Sequence, residues 1–135
     1  MKGVELKDSY QGSKYTVTHC KGALKSFEKA LQSVEARKRA KFIRLIELQI
    51  QRLADGEPMS KDNFPPEGDL PKKTGQHHTN KFHALKRIPI RGYCWLSEKV
   101  GNTYYISHYI NKDQDGLDTN DTTKVGNNWK KIELD

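Results

Sequence analysis

Cysteine is scarce: there are two in 135 residues, Cys20 and Cys94, far apart and neither with a second cysteine near it. That spacing excludes a disulfide scaffold and any zinc site built on cysteine, and it suits a reducing cytoplasm, the expected location. No apolar run approaches the roughly 20 residues of a membrane-spanning helix. The opening stretch MKGVELKDSY is polar and mixed in charge, so neither a secretory signal nor a transit peptide is expected. Rossmann and P-loop nucleotide enzymes are set aside, because the glycine-rich phosphate loop they need is missing. So are internal repeats and low-complexity tracts. Only 34% of the residues are apolar, yet two segments are periodic enough to build a small core. The length suits a single domain over 1–135.

Positive charge, by contrast, is plentiful: 24 Lys and Arg face 17 Asp and Glu, for a formal net charge of +7. It is unevenly spread. Residues 21–52 hold nine cations against three anions, and residues 72–99 hold seven against one. Between them, residues 53–71 hold one cation against five anions. Two basic blocks flanking an acidic connector attract polyanions, and such attraction weakens with salt as counterions are released. A solvated helix surface has the same composition, so charge alone does not separate nucleic-acid binding from solubility.

Residues 14–20 mix β-branched and aromatic types, which favours a strand. From Gly22 the period changes. Leu24, Phe27, Leu31 and Val34 recur at helical spacing, and over 35–54 Phe42, Ile43, Ile46, Ile50 and Leu53 form a second apolar stripe, closed by Asp55-Gly56 and Pro58. Residues 55–80 form a connector holding four of the five prolines, read as an extended strap. Phe82–Ile88 reads as an edge strand ended by Pro89. Ile90–Leu96 alternates, with Arg91, Tyr93 and Trp95 on one side. After a turn at Val100-Gly-Asn102, Thr103–Ile110 returns, strict alternation placing Tyr104, Ile106, His108 and Ile110 together. Asp121–Leu134 is expected as a short helix capped by Asn120 or Asp121. The expected fold is α+β: two N-terminal helices packed on one face of a curved antiparallel sheet of about four strands, with a short C-terminal helix.

No metal-ligand set stands out. His77 and His78 are adjacent and point apart in an extended segment, and no carboxylate joins them at zinc spacing. Cys94, inside an apolar strand, reads as an inert thiol. Cations and aromatics cluster in the strands: Lys81, His83, Lys86, Arg87, Arg91, Tyr93, Trp95, His108, Tyr109 and Lys112. Such a set can hold single-stranded RNA, with cations on phosphate and rings under bases. It also contains the parts for metal-independent RNA cleavage. That reaction needs an acid or base for the ribose 2′-OH and the leaving oxygen, and fixed cations for the pentacoordinate phosphate. Each residue has a structural alternative. Tyr93, Trp95 and Tyr109 would equally cover a half-exposed sheet face, His108 would sit as a satisfied core histidine, and Lys81, Lys86 and Arg87 would guard an edge strand.

The run Phe82-His-Ala-Leu-Lys-Arg-Ile-Pro-Ile-Arg-Gly-Tyr-Cys-Trp95, followed by Tyr104-Tyr-Ile-Ser-His-Tyr-Ile-Asn-Lys112, resembles the sheet of RelE/ParE-type toxins of toxin-antitoxin systems, closest to the HigB-like branch. The resemblance implies metal-independent, ribosome-associated mRNA cleavage, no cofactor, and a small antitoxin as partner. It assigns Arg91 and Lys112 to transition-state charge, His108 to proton transfer, and Lys86 and Arg87 to phosphate contacts; from the strand cluster, Lys81, Tyr93 and Tyr109 join them as candidate substrate contacts. The chain is longer than a typical toxin of this type, and the loop at 113–121 is acidic where that family is often basic. Two other functions fit the same residues: a non-catalytic module that binds a host protein, and a plain RNA-binding protein.

Overall fold

The computed structural model describes residues 5–77, 79–112 and 118–134. His78 and residues 113–117, which hold much of the acidic loop, lie outside the described residues. Ser9–Gln11 (β1) turns back onto Thr16–His19 (β2), antiparallel, with Tyr10 opposite Val17. The turn requires Gly12, because a Cβ there would stand 2.2 Å from the carbonyl carbon of Ala54. The backbone N–H groups of Lys14 and Tyr15 both donate to the Ala54 carbonyl, at 3.1 and 2.7 Å. Gly22, at φ 87°, takes the left-handed backbone that leads into the helix Ala23–Leu31 (α1). A 3-10 turn at Ala36–Lys38 then enters Arg39–Ala54 (α2), which buries Ile43, Ile46, Ile50 and Leu53 at i, i+3, i+7 and i+10.

Within the proline-rich connector, Pro66–Asp69 forms a strand (β3) that pairs antiparallel with Lys81–Arg87 (β4). Ile90–Leu96 (β5) and Thr103–Asn111 (β6) complete the sheet, and Thr119–Glu133 forms a helix (α3). Strand order is β1-β2-β6-β5-β4-β3. β2 runs parallel to β6, from Thr16 opposite Thr103 to His19 opposite Ile106, and the remaining pairings are antiparallel.

This architecture corrects the expected one. The sheet has six strands and is mixed, where about four antiparallel strands were expected. β1 is too short to show a period, and β3 (Pro-Glu-Gly-Asp) has no apolar alternation, so neither is visible as a pattern. Parallel pairing has no local signature at all. β4 is interior, because β3 lies outside it, and Pro66 opens that edge strand where a missing N–H costs no ladder bond. The C-terminal helix is fifteen residues long and is capped by Asp118, whose side chain accepts from the Asn120 N–H at 2.9 Å, two residues before the first of the expected caps.

The sheet is covered on both faces. On one, α1 and α2 bury Phe27, Ile46 and Ile50 against Val17, Leu85, Ile90, Cys94, Ile106 and Tyr109. On the other, Val125 and Trp129 of α3 pack on Phe82, Ala84, Tyr93 and Trp95. Each large apolar side chain sealed this way contributes about 1.5–3 kcal/mol. Tyr93 and Trp95 are therefore core residues under α3, not the covering of a half-exposed face, at 0% and 1% exposure.

Candidate nucleic-acid interface

A one-residue irregularity decides where the candidate catalytic groups point. Tyr93 pairs with His108 but Cys94 pairs with Ile106, which leaves Ser107 as the extra residue of a β-bulge. Beyond it the alternation of β6 is inverted. Tyr109 joins Ile106 on the α1–α2 side, while His108 and Ile110 turn to the α3 side. The expected grouping of His108 with Ile106 is thereby corrected. Arg91 lies opposite Ile110, so Arg91 and His108 share the face that α3 covers, while Lys112 lies just beyond the end of β6.

They do not form an open site. His108 is 5% exposed. Its Nε2 lies 2.9 Å from Asp121 Oδ1 on α3, and its Nδ1 lies 2.8 Å from Ser107 Oγ. Burial lowers its pKa, against the opposing pull of the Asp121 carboxylate. Asn128 Nδ2 donates to Ser107 Oγ at 2.8 Å. Ser107, His108 and Asp121 thus form a hydroxyl–imidazole–carboxylate chain of the kind a hydrolytic triad uses, but the hydroxyl is in the interior, at 1% exposure. Arg91 is also buried and donates from Nη1 to Glu67 Oε1 of β3 at 3.2 Å. Beside it the Tyr93 phenol is pushed up to about 12, by burial first and by the Asp121 and Glu67 charges second. Lys112 is half-buried, and its backbone N–H donates to the Pro89 carbonyl at 2.6 Å.

The candidate substrate contacts are scattered. Lys81 is exposed and bonded to Asp69 of β3, which holds the Asp69 carboxyl below its ordinary pKa. Tyr93 and Tyr109 are both sealed, on opposite faces. Tyr109 packs edge-on against Phe27 at 4.9 Å, and its hydroxyl lies 2.7 Å from His19 Nε2. Lys86 pairs with Arg91 across the strands, so alternation turns its side chain toward the α3 side and that of Arg87 toward α2. Both cysteines are buried, and burial pushes the Cys20 thiol up to about 12. Among the described residues no group of three His, Cys, Asp or Glu side chains is placed to hold a metal ion. No helix among them is long and apolar enough to cross a membrane.

What the fold does bring together is one side of α2 and the β4–β5 turn. An open cleft of about 550 Å³ separates α2 from the β4–β5 turn. Phe42 and Leu45 of α2 line one side, and Lys86, Arg87 and Ile88 the other, with Asp62 and Asn63 of the connector at the end. Helical spacing sets Lys38 one turn from Phe42 and Lys41 one turn from Leu45, both exposed. Ile88 stands out at 65% exposure. The far wall is tied to α2 by Gln49 Nε2, which donates to the Lys86 carbonyl at 3.1 Å, and to the connector by the Lys86 N–H, which donates to the Asn63 carbonyl at 2.9 Å.

Reading the residues alone misses Glu67, Asp121, Asn128 and Glu133, because their partners sit on strands distant in sequence. Glu133 accepts from Trp95 Nε1, Ser97 Oγ and the N–H groups of Glu98 and Lys99. The one local clue is the Ser107-His108 dipeptide. Comparison with known proteins returned no matching family model, no similar curated protein and no similar solved structure.

Proposed function

We propose that this protein is a non-catalytic binder of single-stranded RNA that takes the phosphate backbone in the cleft between α2 and the β4–β5 turn. One observation carries the reading: the open cleft is lined by Lys86 and Arg87 of β4 beside the apolar Phe42, Leu45 and Ile88, and the exposed Lys38 and Lys41 lie one helical turn from its α2 wall. Arg87, Lys38 of the 3-10 turn and Lys41 of α2 would take phosphates, and Phe42, Leu45 and Ile88 would take sugar and base surfaces. Cleavage by Arg91, His108 and Lys112 has weaker support. Both imidazole nitrogens already meet protein partners, and α3 stands over the ring.

The test is fluorescence anisotropy of a labelled oligouridylate over a salt series. The expected result is binding that weakens with salt. Reversal of two cations, Lys41→Glu with Arg87→Glu, should reduce affinity at least tenfold and flatten the log–log salt slope by about 1.4, the contribution of two phosphate contacts. Absence of salt-dependent binding overturns the proposal. So does scission of the oligomer that disappears in Arg91→Ala and His108→Ala. That second result, with growth arrest on expression relieved by the same substitutions, would favour a RelE/HigB-like endoribonuclease with an antitoxin partner, whose support is that Arg91 and His108 share a sheet face.

A further inference from the structure

A second opening lies at the other end of α2. It has a volume of about 210 Å³ and is walled by Tyr15, Phe64 and Tyr104, with Leu53 and Met59 behind them. The three rings are half-buried and meet edge to face. Tyr15 meets Tyr104 edge-on at 5.1 Å, Phe64 meets Tyr104 edge-on at 6.2 Å, and Phe64 stacks on His83 at 4.6 Å. The rim is polar on both sides. Lys14 Nζ stands 5.5 Å from the centre of the Tyr15 ring, and the exposed Glu57 carboxylate lies 3.8 Å from Arg52 Nε. Burial raises the Tyr104 phenol to about 12, so the ring is neutral at any physiological pH.

Hydrophobic packing alone would close such a site. Here the apolar rings are left partly open to water, with a donor and an acceptor placed at the mouth. A flat, polarisable occupant edged with hydrogen-bonding groups matches this lining. Glu57, Met59 and Phe64 of the connector border this opening, and Asp62 and Asn63 border the phosphate cleft, so the two openings adjoin the same segment. They are set out along α2, where the eight residues from Leu45 to Leu53 span about 12 Å. We infer that the Tyr15–Phe64–Tyr104 opening is a nucleobase-stacking subsite, in which an unpaired base stacks on Tyr15 between the other rings while its edge meets Lys14 and Glu57. The inference rests on the RNA-binding reading and deepens it. A base can enter only if it is not in a duplex, so this subsite selects single strands.

The experiment uses the full chain and an oligouridylate carrying one 2-aminopurine, whose fluorescence is quenched on stacking, with anisotropy read in parallel. The free 2-aminopurine nucleoside serves as a second probe. The expected result is quenching on binding. Tyr15→Leu, which keeps a half-buried apolar side chain, should abolish the quench and weaken binding about tenfold, within the range for loss of one base stack, while leaving the salt slope unchanged. Lys41→Glu with Arg87→Glu should do the reverse, flattening the slope yet retaining the quench at low salt. Binding by anisotropy with no quench, or a quench untouched by Tyr15→Leu, overturns the subsite and leaves the phosphate cleft standing. If the oligomer does not bind, the RNA reading fails, and the free nucleoside decides the subsite alone. A Tyr15-dependent quench supports it, and no quench overturns it.

Discussion

The two faces of the sheet are built from different chemistry. Under α1 and α2 the interior is almost wholly aliphatic and aromatic, with His19 and Gln49 the polar groups drawn into it. Under α3 the same sheet buries Arg91, Ser97, Ser107, His108, Asp121 and Glu133, most of them hydrogen-bonded across elements. Apolar contacts are non-directional and tolerate sliding, so the first face supplies stability without dictating angles. A buried carboxylate with several fixed donors is satisfied in one position only. The second face therefore sets where α3 lies, and α3 in turn determines that the candidate catalytic residues are covered.

This contrast implies different responses to substitution. The largest effect is expected on the apolar face. Ile50→Ala, at a site with 0% exposure, should cost about 2–5 kcal/mol in urea unfolding, because it removes contacts and leaves a cavity. A loss under 1 kcal/mol would mean that α2 repacks and that the face is not tightly built. Glu133→Ala should cost about 2–3 kcal/mol, since the donors of Trp95, Ser97, Glu98 and Lys99 lose a charged acceptor. Its signature is a loss of protection in hydrogen exchange confined to α3 and the turn after β5. Were α2 to lose protection equally, the two faces would be energetically one.

The smallest effect is a pH dependence in two windows. Burial lowers the pKa of His19, His83 and His108 in the folded state from the ordinary 6.5. The unfolded chain then binds more protons as pH falls through 6.5, and stability declines toward the folded values. Burial alone would raise the Glu133 carboxyl, but its hydrogen-bond donors together hold it below the usual 4.5. Its contribution is complete above 4.5 and is lost as pH falls toward the depressed folded value. Urea midpoints measured from pH 8 to 3 should show both declines. His108→Asn should flatten the upper one, and Glu133→Gln the lower.

Where a helix or strand carries its own period, the sequence made it readable. The stripe from Ile43 to Leu53, the alternation in β5 and the turn at Asn102 with its positive φ of 50° are all local patterns. What escaped is non-local or aperiodic: β1, β3, the parallel pairing of β2 with β6, and the partners of Arg91 and Glu133. The Ser107 bulge is the instructive case. Nothing in Ile-Ser-His-Tyr-Ile marks an extra residue, yet it reverses the direction of every later side chain in β6. Strict alternation therefore put His108 beside Ile106, when it faces Asp121. The cation–aromatic composition of the strands was legible, but which of those groups reach solvent depends on where α3 docks, which no local pattern records.

Parallel pairing of β2 with β6 makes the first hairpin a cover for the middle of the molecule. β6 is rich in Tyr and Ile, and β2 caps its ladder from Thr103 to Ile106. Proteolytic removal of residues 9–19 would strip a central strand of its neighbour and bare a flat, sticky backbone rather than trim a dispensable tail. The product would be self-associating material, not a shortened monomer, so the integrity of the amino-terminal hairpin doubles as protection against misassembly.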